Sequence, residues 1–296
     1  IGAAVVKDPS SGYARIIRLF ENSPADDAEL QVGGFITAIN GVSTRQMTET
    51  SAINSALLGE EGTTTTITYL TPDRQEQTLD LVHSNYKTPT VSYQILNEKV
   101  GYLRVYSFSS TTGSEFKSAI DALMDSNVQT MVFDLRDNTG ENLNAALVAA
   151  DYCLPSGLIA SQQGKDGTVT DLRMSDETAL SVPAVCLVNG STAGSAELFA
   201  NALRKMGDAL LVGTTTTGNG VVMSDPQSFS DGSAAVITVG ILRDNEGETW
   251  NDFGLTPDVD ATLTSDELNS YYDFTTDTDP QIAKAVAAAQ MLAGLA

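Results

Sequence analysis

Thr130-Met-Val-Phe-Asp-Leu-Arg136 is an almost unbroken apolar run, which predicts a strand buried on both faces rather than one with a wet side. The same alternation of element types extends outward from it. Upstream, VGYLRVYSF (100–108) reads as a strand. Thr112-Gly-Ser-Glu115 has the form of a capping box, opening a helix that lines Phe116, Ile120, Leu123 and Met124 along one face. Downstream, AALVAADYCL (145–154) reads as a helix and AVCLVNG (184–190) as a second buried strand. AELFANALRKMG (196–207) reads as a helix closed by Gly207. ALLVGTTT (209–216) and AAVITVGIL (234–242) add strands. Asp279 as N-cap and Pro280 at the first helical position open a last, Ala-rich helix with Ile282, Val286 and Met291 on one side. Strands alternating with helices predict an α/β domain with helices packed on a central sheet.

The N-terminal third has a different texture. VVKD (5–8), ARIIRLF (14–20), FITAING (35–41), TTTTITYL (63–70) and TLDLVHS (78–84) read as short strands between turns. The one helical patch is Ser51–Leu58. The expected division is a small, mostly β domain over 1–83, a connector over 84–98, the α/β domain over 99–263 and a tail with a helix over 264–296.

Composition narrows the function classes. With 42% apolar and 18% charged residues in 296, the chain has the make-up of a folded protein. No apolar run approaches the roughly 18 residues of a membrane helix. Sixteen Lys and Arg against 38 acids give a net charge of −22, which argues against a nucleic-acid partner because phosphates need cations. The start at Ile1, without Met or a leader pattern, is read as a trimmed piece whose export signal or anchor would lie upstream. Cys153 and Cys186 sit in apolar stretches and are expected as buried thiols, a disulfide between them staying open. His83, the single histidine, is expected to be structural.

Two sets of motifs carry the chemistry. The first is ENSPADDAELQVGGFITAINGVS (21–43), in which Ser23, Pro24, Ala25, Ala28, Leu30, Gly33, Ile36, Ile39, Asn40 and Gly41 match the PDZ signature SPAxxAGLxxGDxIxxINGxxV. The departures are Glu29 for Gly and Gly34 for Asp. Ile1-Gly2-Ala3-Ala4 resembles the PDZ carboxylate-binding loop and the strand after it, where backbone N–H groups cradle a carboxylate and the strand edge accepts an extended peptide. The second set is GYLRVYSF, Asp134-Leu-Arg136-Asp-Asn138-Thr-Gly140, Asn189-Gly-Ser-Thr-Ala193 through Glu197, and Gly254-Leu-Thr-Pro257-Asp258. In that order, behind a PDZ motif, they resemble the C-terminal processing peptidases (tail-specific or carboxyl-terminal serine proteases). The resemblance implies a ClpP/crotonase-like α/β core behind the PDZ domain.

It also implies a Ser–Lys dyad, with a lysine of lowered pKa activating a serine at a helix start and a glutamine four residues after the lysine. Anchored on Glu197, those positions fall on Gly194, Asn219 and Met223. Gly194 has no nucleophile and Asn219 no basic nitrogen, and loss of a nucleophile costs about 10⁶ in rate. Gly140 stands in the oxyanion loop, and Glu141, where the family has Gly, adds a carboxylate beside it. Ser195 is the fallback nucleophile; a one-residue step turns a helical side chain by about 100°. Lys205, ten residues further along the helix, is too far to be its base.

Three readings follow. The first is a family member without catalysis that binds unstructured peptides or protein C-termini. The second is an active endopeptidase using Ser195 with an unidentified base, and the third a structural or oligomerisation module. The resemblance implies no metal or organic cofactor and an extracytoplasmic location, secreted or anchored in the envelope. Membrane association would come only through a segment absent from this sequence. A second copy of the chain is a further candidate partner.

Overall fold

A computed structural model describes residues 1–97, 99–176 and 179–295 and resolves two compact units, 1–89 with 264–275 and 90–263 with 276–296. Glu98, the last residue of the expected connector, and Ala296, the last of the tail, lie outside the described residues.

In the first unit, β1 (Ala3–Lys7), β2 (Ala14–Leu19), β3 (Phe35–Ile39), β4 (Val42–Ser43), β5 (Thr64–Leu70) and β6 (Glu76–Val82) form one antiparallel sheet. Its order is β1-β2-β3-β5-β6, with β4 paired to β3. In β5, Thr65, Ile67 and Tyr69 face inward and their neighbours outward, the period of two expected of a half-buried strand. The Ile67 and Tyr69 side chains join Val5, Ile16, Ile36 and Leu81 in a core closed by Ile53 of the helix α2 (Thr50–Ala56) and by Leu57 at its C-cap. A one-turn helix, α1 (Pro24–Asp27), follows Ser23, whose Oγ accepts from the Asp26 N–H.

The departures of the PDZ motif have local causes. Glu29 takes φ +56°, the left-handed conformation for which the motif uses glycine. At position 34 an added Cβ would lie 2.5 Å from the Tyr69 ring, and Tyr69 OH accepts from Gln31 N at 3.0 Å. The aromatic ring occupies the space an aspartate would need.

The second unit carries β7 (Val91–Leu96), β8 (Val100–Val105), α3 (Thr112–Asp125), β9 (Thr130–Asp134) and α4 (Leu143–Asp151). It continues with β10 (Gly157–Gly164), β11 (Val169–Ser175), β12 (Ala184–Val188), α5 (Ser195–Met206), β13 (Leu210–Gly213) and β14 (Val221–Met223). β15 (Gln227–Ser228), β16 (Ala234–Ala235), β17 (Thr238–Arg243) and β18 (Val259–Asp260) complete its strands. The main sheet has the order β18-β13-β12-β9-β8-β7 and is parallel except for β7. An antiparallel sheet, β11-β10-β17-β14, and the β15–β16 pair supply the rest. As the apolar run predicts, every residue of β9 is buried. On one side of the sheet Phe133 meets Phe116 and Phe199 at ring separations of 5.7 and 5.6 Å. After α6 (Ser265–Asn269) of the first unit, α7 (Pro280–Leu292) covers the other side, packing Ile282, Ala285, Val286 and Ala289 on Val132, Val185 and Leu187.

Three sequence expectations change. The stretch 84–98, read as connector, contains β7, an edge strand whose alternation of Val91, Tyr93 and Ile95 is diluted by polar neighbours. Glu115 forms no capping box; its Oε2 accepts from Thr90 N and Thr90 Oγ1 at 2.7 and 2.9 Å. It ties α3 to the lead-in of β7 instead. The β10–β11 hairpin, mostly polar in sequence, was not among the predicted strands.

Arg136 is 2% exposed and joins the end of β9 to the start of α7. Its Nε and Nη2 donate to Asp134, at 2.7–3.2 Å, and its Nη1 donates to Asp279 Oδ2 and Gln281 Oε1 at 2.8 and 2.9 Å. Asp279 also N-caps α7 through Gln281 N and Ile282 N, as the sequence predicts. Burial alone would raise the Asp134 pKa, but Arg136 and Arg104 hold it well below the ordinary carboxylate range. The contribution of this carboxylate to stability is therefore full above about pH 4 and is lost as pH falls toward the depressed value. Replacing Arg136 by Ala strands two buried carboxylates, and chemical denaturation of the second unit should register a loss of about 3–5 kcal/mol. Asp134→Asn should flatten the acid limb of the stability–pH curve.

Candidate active site and peptide groove

Parallel β8, β9, β12 and β13 end on one side of the sheet, where the backbone turns into loops, the usual place for a site in such sheets. The segment after β9 lies against the start of α5. Asn138 Oδ1 accepts from Gly140 N at 2.9 Å, its Nδ2 donates to Val105 O at 2.9 Å, and its carbonyl accepts from Ala193 N. A Cβ on Gly140 would lie 2.3 Å from Ala193 O and 2.4 Å from Ser195 N, so only glycine lets this loop reach the helix start. The Gly140 N–H is spent on Asn138 and is not offered to a bound oxyanion. Glu141, the next residue, is exposed.

Gly194 is the N-cap of α5, with φ +58° and ψ −122°. That combination lies outside the main regions open to an L-residue with a side chain, and a Cβ there would meet Gly140 O at 3.0 Å and Thr139 O at 3.2 Å. Sharp strained turns into a helix are how nucleophiles are commonly presented. Here such a turn carries a glycine, which has no side chain.

Glu197, fully buried, gathers this region. Its Oε2 accepts from Gly194 N at 3.0 Å and Asn219 N at 2.8 Å; its Oε1 accepts from Gly218 N at 2.7 Å and Thr216 Oγ1 at 2.5 Å. Glycine has no side chain to complete a capping box, so only the returning half exists. The carboxylate brings Gly194 and Asn219 together although 24 residues separate them in sequence. Met223 ends β14, half-exposed, within 3.5 Å of Thr238 Oγ1. Sequence reasoning used Glu197 only as an anchor and missed its organising role, along with those of Asn138 and Thr216. A glutamate three residues after a helix start was the available signal.

Ser195 opens α5 and is 5% exposed. No lysine of the second unit hydrogen-bonds to it among the described residues. Lys117 pairs with Asp121, Lys284 donates to Asp260 O, and Lys205 sits among Glu246, Glu248 and Asp244. Those three carboxylates converge within 4.8 Å of one another, and hydrogen bonds to Glu246 and Glu248 push the lysine pKa upward, away from base chemistry. In the first unit His83 is buried and shares a 2.8 Å hydrogen bond with Thr65 Oγ1; burial lowers its pKa. Cys153 and Cys186 are free and buried, and burial raises both thiol pKa values out of the reactive range.

The peptide-binding candidates lie on one edge of the first unit. β1 is an edge strand, paired only to β2 and packed near α2. Before it, Gly2 has φ +90° and its carbonyl accepts from Phe20 N at 3.0 Å and Ser23 Oγ at 3.3 Å. The Ile1 carbonyl accepts from Ala25 N at 2.9 Å. The Ser23-Pro24-Ala25 turn thus fixes the loop formed by Ile1 and Gly2, with Ala3 and Ala4 entering the strand.

The model of peptidase family S41 matches residues 99–261, and a PDZ domain model matches residues 19–70. The carboxy-terminal processing protease CtpA of Bacillus subtilis is 28% identical over 89% of this chain and 56% of its own length. The carboxyl-terminal-processing peptidase 3, chloroplastic, of Arabidopsis thaliana is 28% identical over 88% of this chain, which spans 53% of that protein. This chain thus spans little more than half the length of these relatives. An S41 protease from Bacteroides fragilis NCTC 9343 shares the fold over 99% of this chain and 82% of that one, with TM-score 0.68 and 21% identity. No helix among the described residues is long and apolar enough to cross a membrane.

The geometry makes Glu197 testable by itself. Glu197→Gln turns one acceptor oxygen into a donor facing N–H or O–H groups, at about 1–3 kcal/mol per abandoned donor. Amide exchange at Gly194, Gly218 and Asn219 should accelerate together while the β9 amides stay protected.

Proposed function

The chain belongs to peptidase family S41, the C-terminal processing peptidases, with a PDZ domain before the peptidase domain, and from this we propose that it binds peptide or protein C-termini without cutting them. One observation carries the reading: Gly194 and Asn219 share the Glu197 carboxylate, so the positions aligned with the family's nucleophile and base meet, and neither side chain can do the chemistry. Asn219 cannot take a proton at neutral pH, and Met223 cannot hold a lysine by hydrogen bonding. The spent Gly140 N–H removes a donor for the tetrahedral intermediate as well.

Binding in this reading falls to the PDZ domain, assigned to 1–83, with the chain from 99 to 263 as a non-catalytic scaffold. The β1 edge supplies backbone pairing and the Ile1–Gly2 loop supplies carboxylate recognition. The location is proposed as extracytoplasmic, in keeping with relatives named as chloroplastic. Among the described residues no lysine hydrogen-bonds to Ser195, which argues against a shifted dyad.

Incubated with an unstructured protein bearing an apolar C-terminus, the chain should produce no cleavage by mass spectrometry. Cleavage abolished by Ser195→Ala would reverse the proposal in favour of an active peptidase. A fluorescent peptide with a free carboxylate should bind and its amide should not. Binding of neither form would point to a structural module. Gly194→Ser alone should restore no activity and should lower stability by about 1–3 kcal/mol, the cost of placing a side chain in that backbone conformation.

A further inference from the structure

A sheet edge with open backbone groups is a template for another strand, and folded proteins blunt such edges with charge, bulges or brevity. Among the described residues nearly every edge is blunted. β6 carries Glu76 and Asp80, and β11 carries Asp171 and Arg173. β4, β15, β16 and β18 have two residues each and β14 three. β1, the peptide edge of the proposed function, carries Lys7 and a bulge between Ala4 and Val5. β7 is the exception. Its six residues, Val91-Ser-Tyr-Gln-Ile-Leu96, pair with β8 in unbroken register and include no charge and no proline.

The register fixes which backbone groups of β7 are open. Tyr106 N donates to Thr90 O, so alternation turns the groups of Ser92, Gln94 and Leu96 toward β8 and those of Tyr93 and Ile95 away from it. Among the described residues no hydrogen bond reaches these outward groups. The Tyr93 and Ile95 side chains are 52% and 42% exposed.

We infer that two copies of this chain associate through β7, paired antiparallel about a two-fold axis at Gln94. The open groups of Tyr93 and Ile95 lie symmetrically on either side of that residue. Tyr93 of one copy therefore exchanges both backbone bonds with Ile95 of the second copy, and Ile95 does the same with Tyr93. Their side chains meet as aromatic and β-branched cross-strand pairs. Charge favours a second copy over a charged peptide, which would find no ion pair along β7. Two chains of net charge −22 repel one another, and this edge lets them meet without opposing like charges. At the far edge of the same sheet β18 is two residues long, so pairing closes at two copies. A strand pair alone buries less than about 1,200 Å², the low end for interfaces. The dimer is therefore weak and reversible, and it tightens as salt screens the repulsion.

Sedimentation velocity on the whole chain from about 1 to about 300 μM should show a monomer–dimer equilibrium. Raising salt from about 0.05 to about 0.5 M should tighten it severalfold. Hydrogen exchange at the Tyr93 and Ile95 amides should slow as concentration rises, while the β6 amides stay unchanged. Gln94 is exposed and faces its own copy across the axis. Gln94→Glu and Gln94→Lys, each placing like charges face to face, should weaken the dimer by about fivefold. An equal mixture of the two variants should regain it. A chain monomeric throughout that range, or a dimer that neither variant weakens, overturns the inference. So does protection of the Tyr93 and Ile95 amides by an added uncharged peptide in a monomeric solution, which assigns the edge to a peptide. Should a variant not fold, exchange at Tyr93 and Ile95 in the unaltered chain decides, and rates independent of concentration overturn the dimer.

Discussion

One buried carboxylate sets the geometry of the peptidase-like unit's site. Glu197 lies in the first turn of α5, shielded from water, and its four donors come from the turn before the helix and from the loop at 216–219. A buried anion is tolerable only when its lone pairs are filled, and each of these donors would be an unsatisfied polar group without it. The dependence is mutual, so the two loops are fixed by one shared requirement rather than by contacts of their own. The framework needs neither a nucleophile nor a base. It is backbone held by one buried side chain, and it forms around Gly194 and Asn219.

The Arg136 network does for the sheet what Glu197 does for the site. Its guanidinium engages Asp134 at the end of β9 and Asp279 at the cap of α7, coupling the loop-bearing end of a parallel strand to the helix covering the sheet's other face. Buried ion pairs are seldom a net source of stability against an apolar substitute. What they fix is register, since a guanidinium fork satisfied on both sides tolerates little displacement. That register carries forward through Leu135, Arg136 and Asn138 to Gly140, and so to the start of α5.

Much of this was readable in the residues and some was not. The apolar runs of β9 and β12, the Gly207 stop and the Asp279-Pro280 start are local signals, each deciding its own element. β7 escaped because an edge strand needs only half its residues apolar, and Ser92 and Gln94 mask the pattern. The supposed capping box at Thr112 failed because Glu115 found better donors in Thr90, a residue 25 positions away. Spacing brought Gly194, Asn219 and Met223 to attention. The sequence could not say that Asn138 would consume the Gly140 N–H or that Glu197 would hold two loops. Those are long-range pairings of polar groups, and they leave no periodicity behind.

Under the proposed function the residues at 194, 219 and 223 have a physical logic of their own. A serine at φ +58° and ψ −122° is held there at a cost that only catalysis justifies, and stability and activity trade against each other at such positions. Glycine removes most of that strain and leaves the turn, because Glu197 rather than the residue's own preference dictates it. Once the nucleophile is gone, a lysine at 219 would be a partly desolvated cation with no proton to collect, a cost without return. A neutral Asn219 keeps the backbone donor to Glu197 and discards that charge. The glutamine that would steer such a lysine loses its purpose in turn, and the position ends β14 as a half-exposed methionine. Under the proposed function each residue removes the reason for the next, and the three positions form one relaxation of a strained turn into a binding scaffold.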